Sequence, residues 1–227
     1  MPIISSATNS NVSFASPDHS IEQDDAKDLA NFHDRMVENC PTYARSVNEA
    51  TNGSTVKISV SNVFDQAGIT SYNEKKREHL IEINPSIDFS RGLRKDKKSR
   101  KEDARLSLAF EMQNAASSRK FDALDKKAQR GGFALSSTTT MLPVEQKLAR
   151  SENDKAAVLY ARETEKQEFL NTKNVAQISE ELENRRLSGW GNWEFESSSF
   201  DAYYKHQIDD GHTQQYLELY DEFTKRR

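Results

Sequence analysis

Three polar residues, Ser107, Glu111 and Asn114, share one face of a helix with apolar residues and are the first candidates for chemistry. Read at about 100° per residue, residues 106–116 place their apolar side chains on one broad arc, and these three fall inside it at i, i+4 and i+7. A buried, ionised carboxylate costs several kcal/mol unless it is paired or hydrogen-bonded. Glu111 is therefore predicted to have a partner elsewhere in the chain.

Two further glutamates, Glu165 and Glu168, are the candidates for that partner. Residues 157–169 form a second helical pattern whose apolar face also contains these two carboxylates. We expect Glu111 to lie close to Glu165 or Glu168 on a facing helix. A shared proton, a cation or a hydrogen-bonded amide such as Asn114 would then offset the free-energy cost of burying both carboxylates.

The polar cluster of Glu111, Asn114, Glu165 and Glu168 has two interpretations. The first is a structural network that fixes the register of two packed helices, with Arg162, Lys166 or an indole N–H of Trp190 or Trp193 among its partners. The second is a catalytic pair of carboxylates that act as general acid and base, or that bind a hard cation such as Mg²⁺ or Ca²⁺. The candidate catalytic residues are then all four, and we assign no cofactor and no bound metal.

The order of the predicted elements resembles the core of the gluzincin-type zinc metallopeptidases over about residues 55–175. Two strands precede a helix that reads Leu108-Ala109-Phe110-Glu111-Met112-Gln113-Asn114-Ala115, and a later helix carries Glu165 and Glu168. The family's helix reads Leu-Ala-His-Glu-x-x-His-Ala, in which two histidines bind zinc and the glutamate activates water. The resemblance implies a zincin-like fold in which Glu111 matches the catalytic glutamate.

The chain departs from that family at the two zinc-binding positions. Phe110 and Asn114 stand where the histidines would be, and phenylalanine cannot bind a metal. One amide and two carboxylates would hold Zn²⁺ poorly, because zinc favours histidine and cysteine ligands. We therefore do not predict zinc proteolysis, and whether the protein is an enzyme stays open.

The fold class predicted from these patterns is α+β, predominantly α-helical, with a small β-sheet followed by packed helices. Residues 56–60 and 80–83 read as two paired strands, and the residues between them read as a connection. Helices are predicted over residues 21–39, 42–50, 106–116 and 119–130, with a break at Ser117-Ser118, and over most of 143–186 and the C-terminal region. Residues 21–227 are expected to form a single domain.

Composition excludes several classes of protein. No run approaches the length of apolar residues that spans a membrane. The net charge of −4 argues against nucleic-acid binding, and the basic run 91–101 reads as a solvated loop without interleaved aromatic residues. Cys40 is the only cysteine, which excludes an internal disulfide and fits a reducing cytosol.

Residues 1–20 are predicted to be a disordered export tail. They are rich in serine and asparagine, carry no acidic residue before Asp18, and lack the basic and apolar regions of a secretory signal. With Ile3 and Ile4 near the start, the pattern resembles the N-terminal export signal of type III secreted effectors from plant-associated bacteria. The resemblance covers the tail alone. It is compatible with a secretion chaperone that binds near the N-terminus.

The function expected from the tail is that of a virulence effector that is secreted into the cytoplasm of a eukaryotic host cell and acts on a host protein. It would act through a degenerate metallopeptidase-like domain with a buried carboxylate pair. Two alternatives are kept beside it: a non-catalytic protein–protein interaction module, and an ordinary cytosolic bacterial protein with a floppy N-terminus.

Overall fold

The computed structural model describes residues 3–15, 20–61, 66–86, 97–133, 141–149, 152–185 and 199–225. Over these ranges the chain has the predicted α+β, mainly helical fold, with helices and a mixed sheet. It comprises two compact units, and the single domain over residues 21–227 stays a prediction. The first unit comprises Met1–Ser118 and Asn171–Glu194, and the second comprises Arg119–Leu170 and Phe195–Arg227.

The described part of the first unit contains one mixed β-sheet with the strand order β1-β2-β3-β5-β4. Its strands are β1 (Ile3–Ser5), β2 (Val12–Ala15), β3 (Thr55–Val60), β4 (Gly68–Asn73) and β5 (Glu78–Ile83). The pairs β2–β3 and β3–β5 are parallel, whereas β1–β2 and β4–β5 are antiparallel. The predicted pairing of residues 56–60 with 80–83 is therefore confirmed, with Ile58 opposite Ile81.

Strand β4 lies at an edge of the sheet and differs from the prediction, in which these residues are a connection between two strands. Its residues are half-buried or exposed, so they show none of the alternation of apolar and polar side chains that marks a strand in sequence. The strand forms because it pairs along its whole length with β5.

The N-terminal segment differs from the predicted disordered tail, since residues 3–15 form β1 and β2. Val12 and Phe14 are fully buried in the apolar core of the first unit. Asp34 fastens the turn between the strands by accepting hydrogen bonds from the hydroxyls of Ser6 (2.6 Å) and Thr8 (2.9 Å). The segment is too poor in apolar groups to fold alone, but it gains a core by pairing with β3.

The helices are α1 (Ser20–Asn39), α2 (Pro41–Thr51), α3 (Lys97–Gln129), α4 (Glu152–Asn184), α5 (Phe200–Asp209) and α6 (Gln214–Lys225), with a 3₁₀ turn at Glu145–Lys147. Helices α1 and α2 are close to their predicted bounds, with Pro41 at the start of α2. Glu181 on α4 accepts a hydrogen bond from the backbone N–H of Thr42 at 3.1 Å, which satisfies one of the free donors of the first turn of α2.

Helix α3 is continuous, so the predicted break at Ser117-Ser118 is wrong. A serine side chain can weaken a helix by competing for its backbone hydrogen bonds, but the Ser117 hydroxyl donates instead to Asn171 at 2.9 Å. The helix ends before Gly131, as predicted, where a φ of +72° requires the left-handed conformation that glycine adopts readily. Residues 97–101 of the basic run are the first turns of this helix rather than a loop.

The second unit has its own apolar core. Its buried residues include Tyr160, Phe133 and Tyr220, and the ring centroids of Phe133 and Tyr220 each lie within 6 Å of that of Tyr160. Tyr160 also donates a hydrogen bond to Asp125 at 2.7 Å. Among the described residues, no helix combines the length and the apolar character needed to cross a bilayer.

Candidate functional site

Glu111 lies on α3, is 5% exposed, and is held by two side chains of the first unit. Its Oε2 accepts a hydrogen bond from the Thr70 hydroxyl at 2.7 Å and a second from the Asn114 amide at 3.2 Å. The same Thr70 hydroxyl is also 3.0 Å from the backbone carbonyl oxygen of Glu111. The predicted inward orientation of Glu111 is confirmed, and its partners are the edge strand β4 and the next turn of its own helix.

Gly68 allows β4 to approach Glu111 closely. A Cβ on Gly68 would lie 2.7 Å from the Glu111 Cγ, closer than real Cβ atoms come to a neighbour, and 3.0 Å from its Oε1, which is a tight contact. The glycine is therefore required by the close approach of the strand to the glutamate rather than by a turn.

Burial raises the pKa of the Glu111 carboxyl to about 7, although the hydrogen bonds from Thr70 and Asn114 oppose the shift. A carboxyl that titrates near neutral pH has the property expected of a general acid or base. The hydrogen bonds found for it are made to an alcohol and an amide, which are also the partners expected of a buried structural carboxyl.

Asn114 continues the hydrogen bonds from Glu111 to helix α4. Its Oδ1 accepts from the Asn171 amide at 2.9 Å, and Asn171 Oδ1 accepts from Ser117 at 2.9 Å. The preceding residue, Gln113, also makes such contacts: its Oε1 accepts hydrogen bonds from Ser46 at 2.9 Å and from Asn174 at 3.2 Å. The polar face of α3 is therefore bonded to the neighbouring helices of the first unit. Ser107 is buried as predicted.

Glu165, in the second unit, is fully buried and has a different set of partners. Its Oε1 accepts a hydrogen bond from the Thr213 hydroxyl at 2.8 Å and lies 3.1 Å from Nδ1 of His212. Its Oε2 is buried and has no hydrogen-bond partner among the described residues. The carboxylate is thus held on one oxygen by the turn between α5 and α6.

Glu168 lies one turn further along α4, on the same side as Glu165, with 12% of its side chain exposed. Its Oε1 accepts a hydrogen bond from the Tyr216 hydroxyl, and its Oε2 is 3.9 Å from Nε2 of His212. Burial raises the pKa of the Tyr216 hydroxyl well above its ordinary value, and the nearby Glu168 carboxylate adds to the shift. His212 therefore lies between the two glutamates.

The partners predicted for the carboxylates are only partly those found. Arg162 forms its ion pair with Glu145 at 3.2 Å, and Lys166 is exposed. Trp190 and Trp193 lie outside the described residues. The predicted proximity of Glu111 to Glu165 or Glu168 joins residues of different units and stays a prediction.

Sequence reasoning missed Thr70, Gly68 and His212. Thr70 and Gly68 lie in the unpredicted strand, so no pattern connected them to Glu111. His206 and His212 are six residues apart, a spacing that does not place them on one helical face, so no pattern singled out His212. The usable signal was the spacing of Glu165 and Glu168, which places both carboxylates on one side of α4 and favours a shared partner.

No family model, curated protein or solved structure matches this chain. Its function is therefore inferred from its own residues and their contacts.

Proposed function

We propose that the protein is a bacterial virulence effector that is delivered into the cytoplasm of a eukaryotic host cell and acts there by binding a host protein. The support for delivery is the N-terminal sequence, which is rich in serine, begins with Ile3 and Ile4, and has no acidic residue before Asp18. A secretion chaperone that binds near the N-terminus belongs to the same proposal.

The observation that favours binding over catalysis is the arrangement of Glu111. Thr70 and Asn114 both donate to its Oε2, Asn114 is in turn bonded to Asn171, and β4 packs against the side chain through Gly68. These contacts join a strand and two helices, which is the role of a structural polar network. In this proposal the protein resembles the metallopeptidases in the order of its strands and helices, and it does not hydrolyse peptides.

The fold adds a requirement to delivery. A type III apparatus exports unfolded chains, whereas β2 is bonded to β3 within the sheet. A fragment of residues 1–50 ends before β3 and cannot make that pairing, so it presents the N-terminal sequence without the strand that holds it. This fragment is therefore the appropriate carrier for a reporter.

The test is a translocation assay with residues 1–50 fused to an adenylate cyclase reporter that is active only inside eukaryotic cells. We expect cyclic AMP to accumulate in host cells exposed to bacteria with a working type III apparatus, and not with an apparatus-deficient strain. Equal signals from both strains, or no signal from either, would remove the basis of the proposal and favour an ordinary cytosolic protein.

Matched variants of the full chain separate the export signal from the folded protein. Ile3→Glu places an acid in the signal at a side chain that is 67% exposed, so the fold should tolerate it. Leu170→Glu makes the same kind of change at a side chain that is 45% exposed and far along the sequence. Delivery should fall for the first variant alone.

The enzyme alternative is tested at Glu111. A catalytic glutamate predicts that Glu111→Gln is folded but has no effect in the host cell. The binding proposal predicts that this variant keeps its effect as long as it stays folded, because the glutamine can still accept the hydrogen bond from Thr70.

A further inference from the structure

The cluster of Glu165, Glu168 and His212 has the composition of a metal site, which goes beyond the function proposed above. Each residue offers one ligand atom, and these atoms all lie within 4.8 Å of one another. Glu165 and Glu168 come from one side of α4, and His212 comes from the turn that precedes α6. We propose that these three side chains bind one divalent transition-metal ion of the Zn²⁺ or Mn²⁺ type.

The unpartnered oxygen of Glu165 is the independent observation that points to a cation. The side chain is fully buried, Oε1 is bonded to Thr213 and His212, and Oε2 has no hydrogen-bond partner among the described residues. A proton on Oε2 would not remove the problem, because the resulting O–H group would be a buried hydrogen-bond donor without an acceptor. A cation would instead satisfy the charge and the free lone pairs together.

Glu145 offers a comparison within the same unit. It is also fully buried and, among the described residues, its Oε1 likewise has no hydrogen-bond partner, but its Oε2 accepts hydrogen bonds from the backbone N–H of Leu142 at 2.6 Å and from the Arg162 guanidinium at 3.2 Å. An arginine thus accompanies the buried charge of Glu145. The partners found for Glu165 are a hydroxyl and an imidazole, so a metal ion would take the place that Arg162 has beside Glu145.

The surrounding groups would orient the three ligands. The Gln215 amide lies 2.9 Å from Nε2 of His212. With the amide turned so that its oxygen accepts from Nε2–H, Nδ1 has a lone pair that binds the ion in place of its contact with Glu165. The Thr213 hydroxyl donates to Oε1 of Glu165 and the Tyr216 hydroxyl donates to Oε1 of Glu168, so each carboxylate is held on one oxygen.

The distances are close to those of ligands that share an ion. Two donors at about 2.1 Å from a tetrahedral Zn²⁺ are roughly 3.4 Å apart. The three ligand atoms lie within 4.8 Å of one another, so a movement of the Glu168 carboxylate by about 1 Å would complete the set. Because 12% of the Glu168 side chain is exposed, whereas Glu165 is fully buried, rotation of Glu168 can supply that movement.

The ligand types select the metal. One imidazole nitrogen with two carboxylates suits Zn²⁺, Mn²⁺ and related ions, whereas Mg²⁺ and Ca²⁺ prefer all-oxygen sites. The affinity order among divalent ions places Zn²⁺ above Mn²⁺ at such a site.

The test is isothermal titration calorimetry of the full chain with Zn²⁺, Mn²⁺ and Mg²⁺, with thermal unfolding measured in parallel. We expect one Zn²⁺ per chain, weaker Mn²⁺ binding, no Mg²⁺ binding, and a melting temperature that rises with Zn²⁺. Glu165→Gln and His212→Asn should each weaken Zn²⁺ binding by at least about tenfold, as the loss of a ligand does. A wild-type protein that binds neither Zn²⁺ nor Mn²⁺ would overturn the proposal.

Two controls test whether the ion binds at this cluster. His206→Asn removes an exposed histidine that is paired with Asp210, and Glu163→Gln removes a nearby glutamate of the same helix; both should bind Zn²⁺ like the wild type. Loss of binding in a control variant, or normal binding in Glu165→Gln and His212→Asn, would place the ion elsewhere and contradict the proposal.

A further variant and a spectroscopic measurement cover the case in which Glu165→Gln or His212→Asn does not fold. Glu168→Gln changes a ligand that is 12% exposed and keeps an acceptor for Tyr216, so it should fold and bind Zn²⁺ more weakly. Electron spin echo measurements on the Mn²⁺-loaded wild type should show coupling to an imidazole nitrogen. Absence of that coupling, or unchanged binding in Glu168→Gln, would contradict the assignment.

Discussion

The Thr70 hydroxyl lies 2.7 Å from the side-chain Oε2 of Glu111 and 3.0 Å from its backbone carbonyl oxygen. A single side chain of the edge strand β4 thus contacts both the backbone and the carboxyl of the residue at the centre of the polar face of α3. Because β4 otherwise pairs only with β5 in the sheet, this contact fixes the strand against the helix.

Replacing Thr70 with valine tests the strength of that contact. The variant keeps the shape of the side chain but leaves the buried Glu111 carboxyl with the Asn114 amide alone as its hydrogen-bond donor among those found. We expect the free energy of unfolding to fall by about 1–3 kcal/mol, the cost of an unsatisfied buried polar group. Thr70→Ser keeps the hydroxyl and should retain most of the stability. Urea denaturation of the three proteins checks this, and equal stability of Thr70→Val and wild type would contradict it.

Gly68 and Glu111 are predicted to be energetically coupled. An alanine Cβ at Gly68 would lie 2.7 Å from the Glu111 Cγ, so Gly68→Ala should cost about 1–3 kcal/mol through overpacking. Glu111→Ala removes the atoms that the new methyl group would meet. In the double variant the cost of Gly68→Ala should therefore largely disappear, which a double-mutant cycle measured by urea denaturation will show.

Gly53 provides the control for that cycle. Its φ is +76° and a Cβ there would meet nothing within 4 Å, so Gly53→Ala is strained only by its backbone conformation. Its cost should be the same with and without Glu111. Coupling at Gly53, or independent effects of Gly68 and Glu111, would mean that the close approach of β4 to Glu111 does not exist in solution.

The polar face of α3 could be predicted from sequence because helical periodicity is a local property. Glu111 and Ser107 are buried where that periodicity placed them, and β3 and β5 follow from alternating side chains. Thr70 could not be found in this way, since β4 is half-exposed and depends on pairing with β5. The first strands escaped prediction for the same reason: Val12 and Phe14 gain a core only by pairing with β3.

The candidate site was predicted as residues but not as an arrangement. Glu111 and Glu165 are buried and Asn114 and Glu168 are half-buried, yet Glu111 and Asn114 belong to the first unit, and Glu165 and Glu168 belong to the second. Periodicity predicts which face of each helix is buried. It does not predict which other helix or strand that face packs against. His212 escaped notice because it precedes α6 in a turn, where no helical spacing connects it to Glu165.

Cys40 is predicted to be unreactive in the folded protein. It is 1% exposed, and burial, with the hydrogen bond that its thiol donates to Glu181 at 2.8 Å, raises its pKa to about 12. Since the thiolate is the reactive form, a thiol reagent such as dithionitrobenzoate should not label the native protein at pH 8. It should label one thiol per chain after denaturation, because Cys40 is the only cysteine. Rapid labelling without denaturant would show that α2 does not pack against Glu181 as described.

The pH dependence of stability follows from the raised pKa of Glu111. Its pKa is 4.5 for a free carboxyl and about 7 in the folded protein, so the folded state holds the proton more tightly than the unfolded state. The stabilisation by this proton is therefore complete below pH 4.5, declines as the pH rises, and is lost above about pH 7. The difference between the two pKa values corresponds to about 3 kcal/mol.

The most direct test of Glu111 as a buried structural carboxyl is the free energy of unfolding of the wild type and Glu111→Gln, measured by urea denaturation between pH 4 and pH 8. The glutamine does not titrate, and all other groups are common to both proteins. We predict that the wild type loses about 3 kcal/mol relative to Glu111→Gln over this interval. Parallel curves would contradict the account, because they would mean that Glu111 titrates alike in the folded and unfolded chain and is not enclosed between α3 and β4.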